Sequence, residues 1–250
     1  MITSSMSYSE MIGHLISDLP KVHYWAKKFL PKVIKDFRKE LRLPLWRIEV
    51  YKQPETGNEF LISYYAENVY QKEEPIVMIG LVFWDSDKRF ILSYQKAEYK
   101  HSSKHEFVET PLLYVFTRHF IKRYNERFLK NDFLTANEII GIFLCRNLLF
   151  TPVDINKDIN KNIDNYDSNA SKGFKVRDGF CFTMCHFEGF SPDENRVNDR
   201  IDTLCFVFTT FESFDELKKV QIDAIDVEDA KIWKKYFEIT KKRHSVGNIL

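Results

Sequence analysis

Three residues of one short stretch have the types and spacing that proton transfer beside a phosphate requires. They are His119, Arg123 and Arg127, within Arg118-His119-Phe120-Ile121-Lys122-Arg123-Tyr124-Asn125-Glu126-Arg127-Phe128. On a helix, Arg123 falls about 40° and Arg127 about 80° from His119. Histidine titrates near neutral pH and can move a proton. The arginine guanidinium keeps its charge and binds oxyanions through a planar fork. A helix running from Pro111 to Leu129 would place Leu112, Phe116 and Phe120 at about 20°, 60° and 100° on the same count. The cationic row is therefore interleaved with the apolar face, and cations there need anionic partners. Those partners are acids of the protein, such as Glu138 or Asp178, or a phosphate. The residues alone leave both open.

The elements that would carry this row are legible as an α+β pattern. Val22, Ala26, Phe29, Val33, Phe37 and Leu41 recur at spacings of three and four, which predicts helix over about residues 9–43. Pro20 and Pro31 each suit the first turn of a new helix there. Short β-branched and aromatic runs follow at Trp46 to Tyr51, Phe60 to Tyr65, Ile76 to Trp84 and Phe90 to Tyr94. With turns at Glu55-Thr56-Gly57-Asn58 and Asp85-Ser86-Asp87-Lys88, they predict an antiparallel meander over roughly 46–99. A second helix is expected after Thr135, with Glu138 at the capping-box position. Residues 154–172, rich in Asn, Asp, Lys and Ser, predict a loop. Strands resume over about 174–187 and 203–210, and two helical segments, 214–221 and 227–242, close the chain. The expected fold is thus a mainly antiparallel sheet with helices packed on it. It divides near residue 110 into an N-terminal part (1–109) and a C-terminal part (110–250), which one continuous domain could also contain.

The row His119-x-x-x-Arg123-x-x-x-Arg127, then a second short helix, then strands ending in Phe206-Val207-Phe208-Thr209-Thr210, resembles the RelE- and BrnT-type toxin nucleases of the barnase–EndoU–RelE nuclease fold. The resemblance covers roughly residues 110–211. It implies metal-independent RNA cleavage, with His119 as acid and base and Arg123 and Arg127 stabilising the pentavalent phosphorane. It also implies that Thr209 or Thr210 bonds a phosphate oxygen, that no cofactor is needed, and that RNA and a protein antitoxin are partners. Those toxins are small and basic, whereas this chain has 250 residues and a net charge of +1. The competing expectation is a non-catalytic binding or regulatory protein of prokaryotic type, whose arginine row is a structural ion network.

Charge is unevenly spread along the chain. Nine Lys/Arg face two Asp/Glu between Lys21 and Arg47, and twelve acids face four bases between Glu188 and Asp229. Lys28, Lys32, Lys35, Lys39 and Arg42 recur at helical spacing opposite the apolar set, as a phosphate-facing stripe or a solvated helix face would. The basic front could equally be drawn to the acidic rear.

The composition, 44% hydrophobic and 15% aromatic with 22 Phe and 12 Tyr, argues for a thick core. Cys145, Cys181, Cys185 and Cys205 all sit in apolar runs and are expected to be reduced, unpaired and without metal. Cys181-x-x-x-Cys185-His186 lacks four ligands at zinc spacing. No signal-peptide pattern or membrane-spanning run is present, which points to a cytoplasmic protein with no membrane partner. Walker A, G-x-G-x-x-G, H-E-x-x-H and G-x-S-x-G motifs are all absent.

Overall fold

Among the described residues, nine strands form one sheet in the order β1-β2-β3-β4-β5-β9-β8-β7-β6, with helices on both faces. The structure is a computed structural model that describes residues 1–100, 107–159, 172–188 and 203–246. Among these, the chain runs α1 (Tyr8–Lys39), β1 (Leu45–Lys52), β2 (Glu59–Ala66), β3 (Ile76–Asp85), β4 (Lys88–Lys100) and β5 (Phe107–Thr117). It continues with α2 (Arg118–Tyr124), α3 (Ala136–Arg146), β6 (Thr151–Asp154), β7 (Lys172–Val176), β8 (Gly179–Glu188), β9 (Thr203–Ser213) and α4 (Lys219–Val246). All neighbouring strands are antiparallel except β5 and β9, so the α+β reading with a mainly antiparallel sheet holds. The parallel seam pairs Leu112–Phe116 with Leu204–Phe208, joining a five-strand meander to a four-strand one. Strands from both halves of the chain share this sheet, and positions 109 and 110 both lie inside β5.

One unbroken helix, α1, replaces the series of helices expected around Pro20 and Pro31, which both lie inside it. Both prolines are exposed, so the carbonyls they leave without a helical donor face water. Ser7 and Glu10 close a capping box at its start, with bonds of 2.7 and 3.2 Å. Its buried side includes Met11, Leu15, Val22, Ala26, Val33 and Phe37, set against Phe60, Ile62, Tyr64, Leu113 and Val207 of the sheet. Asp18 is buried on the same helix and accepts from Asn58 Nδ2 at 2.7 Å and Thr56 Oγ1 at 2.8 Å. Those donors lie in the β1–β2 turn, where Gly57 has a φ of 70°.

The helix expected over 111–129 begins only at Arg118, because Leu112–Phe116 is the middle of β5. A continuous apolar run of five satisfies either period, and here both of its faces are buried. Thr117 makes the switch: its Oγ1 accepts from Phe120 N at 3.1 Å and donates to Phe208 O at 2.9 Å. After α2 comes one π-type turn, Asn125–Leu129, ended by Lys130 at a φ of 51°. The capping box expected at Thr135 and Glu138 opens α3.

The strand region expected over 174–187 is the hairpin of β7 and β8, which turns about Arg177 and Asp178. Of the two closing helices expected, residues 214–218 form a turn after β9 instead, and Lys219–Val246 is one helix, α4, unbroken between Gln221 and Val227, where Ile225 is buried. Most of the expected 154–172 loop lies outside the described residues. The face opposite α1 is an aromatic core of Tyr114, Phe116, Phe120, Phe143, Phe174 and Phe208, among others. Its rings meet at centroid distances such as 4.5 Å for Phe116–Phe208 and 4.8 Å for Phe174–Phe206.

Candidate functional site

The row, which runs from α2 into the π-type turn after it, divides into an accessible end and an internal one. Arg123 Nε donates to His119 Nε2 at 3.4 Å, and Arg123 Nη1 bonds Glu126 at 3.0 Å. Partial burial and then the neighbouring Arg123 charge hold the His119 imidazole below its usual pKa, which favours the neutral, proton-accepting form. Arg127 is only 21% exposed. It bonds the Phe211 carbonyl at 2.7 Å, pairs with Glu212, and reaches Glu216 at 3.2 Å. A phosphate would find His119 and Arg123 from solvent but would have to displace two carboxylates from Arg127. Thr209 Oγ1 donates to Phe182 O at 3.1 Å, beside a register shift in the β8–β9 ladder. Thr210 is half-buried opposite Phe182.

Asp178, one of the acids considered for that row, is held by a different arginine. Arg146, the last residue of α3, meets it through Nη2 at 2.7 Å and Nε at 2.9 Å. Tyr124 Oη and Asn147 Nδ2 donate to the same carboxylate at 2.7 and 3.0 Å. Arg146 Nη1 also reaches Tyr65 Oη and Glu67, and Arg177 closes on Glu67 at 2.6 and 2.8 Å. Burial, followed by the Asp178 charge, pushes the Tyr124 hydroxyl well above its usual pKa. With four donors on its oxygens, Asp178 has little lone-pair capacity left for a substrate. The network ties α2, α3, β2 and the β7–β8 turn together. Sequence spacing gives no sign of it, because its members lie far apart along the chain.

The α1 stripe, by contrast, faces outward as one row. Taking Lys28 as zero, Lys32, Lys35 and Lys39 fall at about 40°, −20° and 20°, while buried Val33 and Phe37 fall at about 140° and 180°. All four lysines and Arg42, three residues past the helix end, are exposed. Lys39 lies 3.7 Å from Asp36, and Lys28 sits over the Trp25 ring at 4.3 Å. Among the described residues, Lys32, Lys35 and Arg42 meet no acid. Tyr24, 64% exposed, adds an aromatic surface beside the row. Several described acids of the rear segment are engaged elsewhere: Glu212 and Glu216 on Arg127, Asp226 and Asp229 on Lys175 at 3.0 and 2.6 Å, and Glu228 on Lys231 at 2.7 Å.

Cys145, Cys181 and Cys205 are buried, Cys185 is half-buried, and none is bonded to another. His186 is exposed, its ring 5.8 Å from that of Tyr8. Among the described residues, no three His, Cys, Asp or Glu side chains cluster as metal ligands would, and no helix is long and apolar enough to cross a membrane. A cavity of about 320 Å³ opens where β4 leaves β3, walled by Leu15, Leu19, Phe60, Ile79, Leu81 and Leu92. None of the α2 row lines it. The chain matches no protein-family model, and neither curated proteins nor solved structures give a match.

Proposed function

We propose that the protein is a non-catalytic binding protein that takes a polyanion, RNA in the first instance, on the outer face of α1. The observation that carries this reading is the single row of exposed cations from Lys28 to Arg42, most of them without a protein acid. From Lys28 to Lys39 the row spans about 16 Å of helix, enough to follow successive phosphates. Tyr24 offers a surface on which a base can stack. About four phosphate contacts would weaken binding to single strands roughly 50-fold between about 50 and 200 mM salt.

The test is fluorescence anisotropy with a labelled single-stranded RNA across that salt range. Wild type is expected to bind with this slope and leave the RNA intact. Lys32→Glu/Lys35→Glu is expected to lose binding while melting as wild type does. Undetectable binding at low salt overturns the reading.

RNA cleavage is the second reading, favoured by one observation: the exposed His119 imidazole, held below its usual pKa, 3.4 Å from the Arg123 guanidinium. Cutting of the same RNA by wild type, abolished in His119→Ala, would establish it in place of the first.

A further inference from the structure

We infer that β1 is a self-complementary edge through which two copies of the chain join their sheets. The two edges of the sheet differ in kind. β6 is four residues long and includes Pro152, which has no N–H to give, and α4 packs beside it. β1 is eight residues long without proline, and none of its residues is fully buried, although seven of the eight in neighbouring β2 are. Among the described residues β1 pairs only with β2, so half of its backbone donors and acceptors point outward. An open edge of this length is a template for another strand.

The sequence of β1 selects which strand. Pair it antiparallel with a copy of itself about a two-fold axis at Ile48, and Leu45 meets Tyr51, Trp46 meets Val50, and Arg47 meets Glu49. Apolar residues then oppose apolar ones, and unlike charges oppose each other on both sides of the axis. Moving the axis to Arg47 sets Arg47 on Arg47 and Leu45 on Glu49. Moving it to Glu49 sets Glu49 on Glu49 and Trp46 on Lys52. Of these three registers, all of which keep each face of the sheet on its own side, only the one at Ile48 avoids like charges. Arg47 and Glu49 already lie 2.8 Å apart within one chain and are 45% and 20% exposed, so they are placed to form a four-charge ladder with the partner. The isologous contact closes at two subunits. It gives one continuous sheet of twice nine strands, with both α1 helices on one face and both α2–α3 pairs on the other. A strand pair alone buries less than a standard interface, so the dimer should dissociate on dilution.

Sedimentation velocity over a concentration series tests this, with circular dichroism confirming that each variant folds. Wild type is expected to shift from monomer to dimer. Arg47→Glu and Glu49→Arg each create like-charge pairs at the axis and should weaken the dimer about tenfold or more. The double swap Arg47→Glu/Glu49→Arg restores opposite charges and should restore the dimer. A wild type that stays monomeric, single variants that dimerise as wild type does, or a double swap that fails to recover would each overturn the inference.

Discussion

The Arg146 guanidinium meets the Asp178 carboxylate with two bonds, 2.7 and 2.9 Å long, that fasten the end of α3 to the β7–β8 turn. Asp178 is 2% exposed, so its charge is compensated by its partners rather than by water. Asp178→Ala leaves Arg146 with Glu67, already shared with Arg177, as its acidic partner, and frees Tyr124 and Asn147 from their shared acceptor. The expected cost is about 3–5 kcal/mol, read by urea denaturation. A loss under about 1 kcal/mol would mean that the network is loose.

Arg123 and Arg127 should separate cleanly in a melting series. Arg127→Ala strands Glu212 and Glu216 and should destabilise by several kcal/mol. Arg123 makes a surface pair with Glu126, so Arg123→Ala should cost less than about 1 kcal/mol. Equal effects would contradict the division of the row into an internal and an accessible end.

Glu212 links stability to pH. Burial raises its carboxyl above the ordinary value of 4.5, with Arg127 opposing the shift. A raised folded-state pKa contributes stability that is full below the unfolded value and is lost as pH rises through the folded one. Glu212→Gln cannot ionise and lacks this dependence. Relative to wild type it should be at its worst near about pH 4 and improve toward about pH 7, by thermal melts across that range. The opposite slope would show that Arg127 outweighs burial.

Two helical glycines should respond in opposite directions to alanine. A Cβ on Gly141 would lie 2.4 Å from Ile48 Cδ1 and 2.6 Å from Ser63 Oγ, so Gly141→Ala must displace the Ile48 and Ser63 side chains or push α3 off β1 and β2. The expected loss is about 1–3 kcal/mol. Gly13 in α1 has nothing within 4 Å of that position, and Gly13→Ala should stabilise by about 0.5–1 kcal/mol. Melting temperatures that move the same way for both would refute the close α3–sheet contact.

What the sequence showed clearly was local. The four early strands, the turn at Gly57 and the Thr135–Glu138 box are signalled by neighbours a few positions apart, and the structure has each of them. The apolar run through Leu112–Phe116 was ambiguous because burial on both faces erases the alternation that marks a strand. Pro20 and Pro31 read as helix starts because their exposed placement is set by the sheet beneath α1, not by their own neighbours. Arg146 and Asp178, 32 positions apart, could not be paired by spacing. The outward face of α1 was legible, since its period opposes the buried one. The complementarity of β1 was written in eight residues, yet it has meaning only once β1 is known to be an edge.

The parallel seam bears on how the chain is made. A ribosome releases β1 to β5 as a run of hairpin neighbours that can pair as they emerge. Leu112–Phe116 must then wait for residues 204–208, with one side of β5 bare throughout that interval. During synthesis the nascent chain therefore carries two open borders, β1 and β5, and only the second is later sealed from within. Slow translation between α2 and β9 would lengthen the exposure of an apolar border, and holding chaperones that shield extended apolar segments should raise the yield of native protein.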